Sequence, residues 1–136
     1  AIRQALYQKL NVSSVTNLLT DGSAGIHHSV VPAKQPPAQY PLLIFNRQSD
    51  SSRKVFGENA FDDQTWLVKG VVRGTSPSLA EDIDAAVRTL LDFGSLTITG
   101  GSLMYLARTT GVSYAEPAGD EIFQHVGSLY RVVVQD

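Results

Sequence analysis

The chain contains no cysteine, which removes disulfides, thiolate nucleophiles and zinc–thiolate sites together. Charge is also sparse. Eleven basic and 13 acidic residues leave a net of -2 and a pI near 5.9, without the basic surplus of a general nucleic-acid binder. No run approaches the roughly 20 apolar residues that a membrane helix needs. The first residues are polar where a signal peptide would be apolar, so the expectation is a protein folded in the cytoplasm. In that setting the Asn11-Val12-Ser13 glycosylation match is chance. The nucleophile elbow G-x-S-x-G, the phosphate loop G-x-x-x-x-G-K-[ST] and the dinucleotide pattern G-x-G-x-x-G are all absent, as are internal repeats and low-complexity tracts. A length of 136 residues implies one domain spanning 1–136.

What is present centres on Gln64 to Phe93, a strand followed by a helix. From Gln64 to Arg73 the residues alternate, with Trp66, Val68 and Val72 on one face and Thr65, Lys69 and Arg73 on the other. Leu67 and Val71 interrupt the polar face. That strand is therefore central, or covered there by the N-terminal helix or by a second subunit. Ser76 can cap the next helix, Pro77 suits its first position, and Ser78 with Glu81 fits a capping box. Leu79, Ile83, Ala86, Val87, Leu90 and Leu91 recur at helical spacing, and a left-handed cap at Gly94 should end the helix.

Ala1 to Leu10 reads as a short amphipathic helix, extended by a turn or two through Val15, Leu18 and Leu19 and broken by Asp21-Gly22-Ser23. Ile26 to Val31 is a short strand, the proline-rich 32–41 an extended connector, and Leu42 to Gln48 a strand. Ser49 to Asp63 shows no periodicity. It is expected to be a loop or arm, either a hairpin whose phenylalanines fold back on the sheet or an arm that contacts a neighbouring subunit. It carries Arg53, Lys54, Phe56, Glu58, Phe61, Asp62 and Asp63. Leu96 to Thr99 and Ser102 to Thr109 flank Gly100-Gly101 as a tight hairpin. Gly111 to Glu121 reads as a turn-rich loop, and Ile122 to Val134 as a long final strand. The sum is an α+β domain, a mainly antiparallel sheet of about four to six strands with an N-terminal helix and one long amphipathic helix packed on it.

Candidates for chemistry are few. His27 and His28, adjacent in a strand, point to opposite faces and cannot share a metal. Asp62 and Asp63 could be a catalytic carboxylate pair with His125, which would make the chain a small hydrolase or ligand-binding domain; a solvated charge cluster is the plainer reading. Arg73, Arg88, Arg108 and Arg131 form a phosphate-binding face only if folding gathers them. Neither a metal nor another cofactor is implied.

Several stretches together resemble the tail-completion family of long-tailed bacteriophages, which includes tail terminators and tail-to-head joining proteins. They are Ala5-Leu6-Tyr7, Val31-Pro32, Tyr40-Pro41-Leu42-Leu43-Ile44-Phe45, Asp62 to Lys69, the Ser76-Pro77-Ser78 helix start, Leu96-Thr97-Ile98-Thr99 and His125 to Arg131. The likeness lies in their order and spacing. It implies a non-enzymatic virion protein, assembled in the host cytoplasm, that forms a ring, usually a hexamer, at the head-proximal end of the tail tube. There it would stop tube growth or join the tail to the head connector, and other neck adaptors share the pattern. The implied partners are further copies of itself, the tail tube protein and the head connector, with DNA only as cargo passing through the lumen and no membrane. A ring needs two unlike complementary patches. Arg53, Lys54, Phe56, Glu58, Asp62, Asp63, Leu67 and Val71 are the residues expected at the subunit interface.

Overall fold

The computed structural model describes residues 1–31, 38–55 and 58–135, with 52–55 and 58–60 described by their backbone alone. Helix α1 (Ile2–Leu10) and the short α2 (Ser13–Thr16) lead through a 3-10 turn (Gly22–Gly25) into strand β1 (Ile26–His28). Strands β2 (Leu42–Val55) and β3 (Glu58–Arg73) form a long hairpin. Helix α3 (Ser78–Leu91) follows, and then a second hairpin of β4 (Ser102–Ala118) and β5 (Glu121–Gln135). The sheet runs β1-β2-β3-β5-β4, with β1 parallel to β2 and every other pairing antiparallel. The α+β expectation therefore holds, at five strands.

All the helices lie on one face of the sheet. Leu43, Phe45, Trp66, Val68, Tyr130, Val132 and Val134 rise from the strands to meet Ile83, Val87 and Leu91 of α3 and Ile2, Leu6 and Leu10 of α1. Alternation explains why these residues share a face: in β3 and β5 they are the even-numbered positions. Gly70 lets α3 approach closely, because a Cβ there would sit 2.9 Å from the Cβ of Ile83. The N-terminal helix was one candidate to cover Leu67 and Val71. It packs on the opposite face instead, because Trp66 and Val68 offer the larger apolar surface there.

Five other expectations change. Ser49 to Val55 and Glu58 to Asp63 are ladder rather than loop, with Ser49 opposite Thr65, Ser51 opposite Asp63 and Arg53 opposite Phe61, so β3 starts at Glu58 and not at Gln64. Gly111 to Ala118 likewise belongs to β4, and the hairpin turns at Gly119, whose φ of 63° suits glycine. Leu96 to Thr99 is not a strand; Leu96 and Ile98 instead pack against the core. No capping box forms at α3. Ser78 is the first helical residue, and its N–H donates weakly to Ser76 Oγ at 3.4 Å. At the other end of α3 the left-handed residue is Phe93, with φ 55°, rather than Gly94.

Candidate functional site

The face of the sheet away from the helices carries the odd-numbered residues of β3 and β5, and three clusters of side chains lie along it. At one end Tyr40 packs on Phe123 with ring centroids 5.0 Å apart, and the Arg73 guanidinium lies 5.2 Å from Tyr40 and 5.9 Å from Phe123. In the middle, His125 stacks on Tyr114 at 4.4 Å and 8°, while Lys69 Nζ donates to Tyr114 Oη at 2.8 Å. At the far end Arg131 grips Asp63 with two hydrogen bonds of 3.0 and 2.7 Å and lies over Tyr105. That fork-to-carboxylate geometry suits arginine and not lysine.

His125 is only 6% exposed, and its Nε2 lies 3.0 Å from Glu116 Oε1. Burial holds its pKa below the ordinary 6.5, the Glu116 hydrogen bond opposes that shift, and the Lys69 charge adds to it. As the pH falls through 6.5 the unfolded chain takes up this proton before the folded chain does, so stability is lost on the acid side. His125→Phe keeps the stack on Tyr114 and removes the titration. Its urea midpoint should fall less between about pH 8 and about pH 5 than that of the unaltered chain. Equal slopes would show that His125 does not control this acid sensitivity.

A second polar cluster is buried between α3 and the sheet. Arg108 Nε donates to Ser128 Oγ at 2.8 Å, and Ser128 Oγ donates in turn to Asp84 Oδ1 at 2.8 Å. The Tyr130 hydroxyl is buried with no well-formed hydrogen bond of its own. Burial, and then the Asp84 charge, push its phenol up to about 12, against the pull of Ser128, Arg108 and Arg88. Sequence reading missed this cluster, because Asp84 looks like one more charge on the wet side of an amphipathic helix.

The expected site residues are dispersed. Asp63 lies opposite Val133, while His125 lies eight residues further along β5, opposite Val71. Eight residues of strand separate them by about 26 Å. The Asp62, Asp63 and His125 constellation of a hydrolase therefore does not assemble. The arginines are not gathered either: Arg73 and Arg131 occupy opposite ends of the outer face, and Arg108 lies on the helix side. His27 is buried and His28 exposed at the edge strand, on opposite faces as expected. Val71 is only 3% exposed within the single chain, and Leu67 is half-buried. Arg53, Lys54 and Glu58 are placed by backbone pairing alone, Asp62 pairs opposite Ser52 and Val134, and Phe56 lies outside the described residues. The Gly119-Asp120 dipeptide between two alternating runs was the signal that could have fixed the β4–β5 register and so brought Tyr114 beside His125.

No protein-family model matches the sequence, and no curated protein does. Solved structures do match. A chain of the virion of a native gene transfer agent particle superposes with a TM-score of 0.72 at 16% identity, over 100% of this chain and 96% of that one. A second solved chain superposes with a TM-score of 0.59 at 17% identity, over 96% of this chain and 92% of the other. At these identities the likeness is one of fold, and it runs nearly end to end in both directions.

Proposed function

We propose that this chain is a structural protein of a phage-like virion, one that closes into a ring of identical copies at the head-proximal end of a tail tube. The observation that carries this reading is the end-to-end fold likeness to a chain of a gene transfer agent virion. The order of the sequence stretches that resemble tail-completion proteins supports it independently. The ring, of about six copies by that resemblance, stops tube polymerisation and joins the tail to the head connector without carrying out a reaction. It is assembled in the host cytoplasm and resides in the virion neck. DNA passes through the lumen, which a net charge of -2 per copy suits better than a strongly basic wall would.

The sheet itself also favours assembly. Strand β1 covers only Leu43 to Phe45 of β2, so the backbone of Asn46 to Val55 forms an edge with no strand beyond it among the described residues. Long open edges are templates for pairing with another chain. Arg53 and Lys54 on that edge, with Glu58 and Asp62 on the paired strand, belong to the subunit contact on this reading. Native mass spectrometry of the purified chain should give a ring-sized species, and negative-stain images should show rings that cap tubes when tail tube protein is added. The double charge reversal Arg53→Glu/Lys54→Glu should shift most of the population to monomer. A chain that stays single even with tube protein present would sink the reading.

A further inference from the structure

The two edges of the sheet carry unlike, complementary features at the same height along the strands. At the β4 edge, Phe93 is 79% exposed, beside exposed Met104 and Tyr105. Its φ of 55° is a left-handed conformation that a bulky residue rarely adopts and that glycine or asparagine would take with less strain. The chain nevertheless fixes it there, since the Phe93 N–H donates to the Leu106 carbonyl at 3.0 Å. Its neighbour Asp92 accepts the Arg108 N–H at 3.0 Å and leaves a carboxylate at the base of the aromatic ring. An exposed aromatic cluster of this kind marks a contact site.

At the other edge, where β1 ends, two adjoining open hollows of about 390 and 470 Å³ share Arg3 and His28. The edges of the largely buried Trp66 and Phe45 line one hollow each, with Tyr7 at one side, and Arg47, which also pairs with Asp50 at 3.3 Å, joins Arg3 at the rim. The hollows are large enough to admit a side chain, and the two arginines at their rim outnumber Asp50 and can meet a further carboxylate.

Strand register sets the relative height of the two features. Leu106, held by Phe93, lies in a row with Val132, Gln64 and Asp50; Arg108, held by Asp92, lies in a row with Tyr130, Trp66 and Arg47. Knob and hollow therefore lie at opposite ends of the same two transverse rows. A neighbour docked knob-into-hollow is displaced sideways with little rise along the strands. Unlike patches of this kind give a closed ring when the rotation between neighbours closes and an open filament when it does not.

We propose that Phe93 of each copy inserts into the Trp66–Phe45–His28 hollow of the next, with Asp92 meeting Arg3 and Arg47, and that this contact propagates the ring. The inference rests on the ring reading and names its interface. Phe93→Gly removes the knob and suits the backbone, so its melting midpoint should equal or exceed that of the unaltered chain. Its self-association should weaken about thirtyfold or more at each interface, as loss of a central aromatic anchor does. Arg3→Glu/Arg47→Glu, two changes at exposed positions, should also give monomers. Mixed together, the two variants retain one good knob and one good hollow between them, and native mass spectrometry should find a 1:1 pair that grows no further. If Phe93→Gly, or the charge reversal, still forms rings, or if the mixture stays monomeric while the unaltered chain assembles, this interface is wrong although the ring stands. If the unaltered chain never assembles, the ring reading falls and the interface with it.

Discussion

Ser128→Ala should lower the unfolding free energy by about 2 to 3 kcal/mol, several times the effect expected of a typical surface serine. The Ser128 hydroxyl is fully buried and serves as a relay, accepting from Arg108 and donating to Asp84, which is itself only 9% exposed. Alanine removes both bonds and leaves a buried carboxylate without that donor, and the penalty for an unsatisfied charged group exceeds the net worth of the bond itself. Asp84→Asn should cost less, about 1 kcal/mol, because its amide oxygen can still accept the Ser128 proton. Asp84→Ala/Ser128→Ala together should recover part of the Ser128→Ala loss, since the buried carboxylate is then gone and only the part-buried Arg108 lacks its partner. Urea unfolding of the unaltered chain, Ser128→Ala, Asp84→Ala and the double variant gives the cycle. Spectrophotometric titration adds a second readout: Asp84→Asn should bring the Tyr130 phenol down from about 12, because the Asp84 charge is one of the two causes that raise it. Equal urea midpoints for Ser128→Ala and the unaltered chain would mean that the relay does not hold α3 to the sheet.

The elements legible in the sequence were those whose two faces differ in burial. Trp66 and Val68 recur at every second position, and Tyr130, Val132 and Val134 do the same, so their strands and faces could be read although Leu67 and Val133 interrupt the polar side. The helix from Ser78 was legible from Ile83, Val87 and Leu91. What could not be read was strand that does not bury. Ser49 to Ser52, beyond the expected end of the strand at Gln48, is polar throughout, because that half of β2 lies at a sheet edge and contributes nothing to the core. It is strand because β3 supplies hydrogen-bond partners, a cause that no periodicity records. The stretch from Thr110 to Ala118 was hidden in the same way. The error at Gly100-Gly101 runs in the opposite direction: Leu96 and Ile98 alternate like a strand but use that alternation to pack against the core.

The sequence support for the proposed function lay in order along the chain. The interface residues suggested by sequence cluster on the β2–β3 hairpin, but within one chain Asp63 is held by Arg131 and Val71 is already buried. Phe93 and the Trp66 hollow become candidates only once the register places them at opposite ends of the same rows. Twenty-seven positions separate Phe93 from Trp66 in sequence (93 − 66 = 27), and no local pattern connects them. The row alignment also makes a demand on the sheet, since the two edges match in height only while β3 and β5 stay in register between them.

That demand leads to the most damaging single substitution expected here. Gly127→Ala should destabilise the chain by about 3 kcal/mol or more and, on the ring reading, weaken the proposed assembly. Gly127 lies on the central strand β5, opposite Lys69 of β3 and Val112 of β4. A Cβ there would fall 2.5 Å from Lys69 Cβ and 2.6 Å from Lys69 Cα, and would also press on the Val68 carbonyl oxygen. These are backbone atoms or atoms fixed to the backbone, so no side-chain rotation relieves the overlap. The strands must part, which weakens ladder bonds in the middle of the sheet, where both sides of β5 are paired. Gly70→Ala is the natural comparison. Its Cβ meets the Ile83 side chain at 2.9 to 3.1 Å, so α3 can yield by a small outward shift, at a cost of about 1 to 2 kcal/mol. Thermal melts and amide exchange would rank the two: Gly127→Ala should lose protection at Val68 to Gly70 on β3, and Gly70→Ala chiefly along α3. If Gly127→Ala instead melts like the unaltered chain and still forms rings, β3 and β5 can separate cheaply. A frame that soft could not hold Phe93 level with the hollow on the far edge.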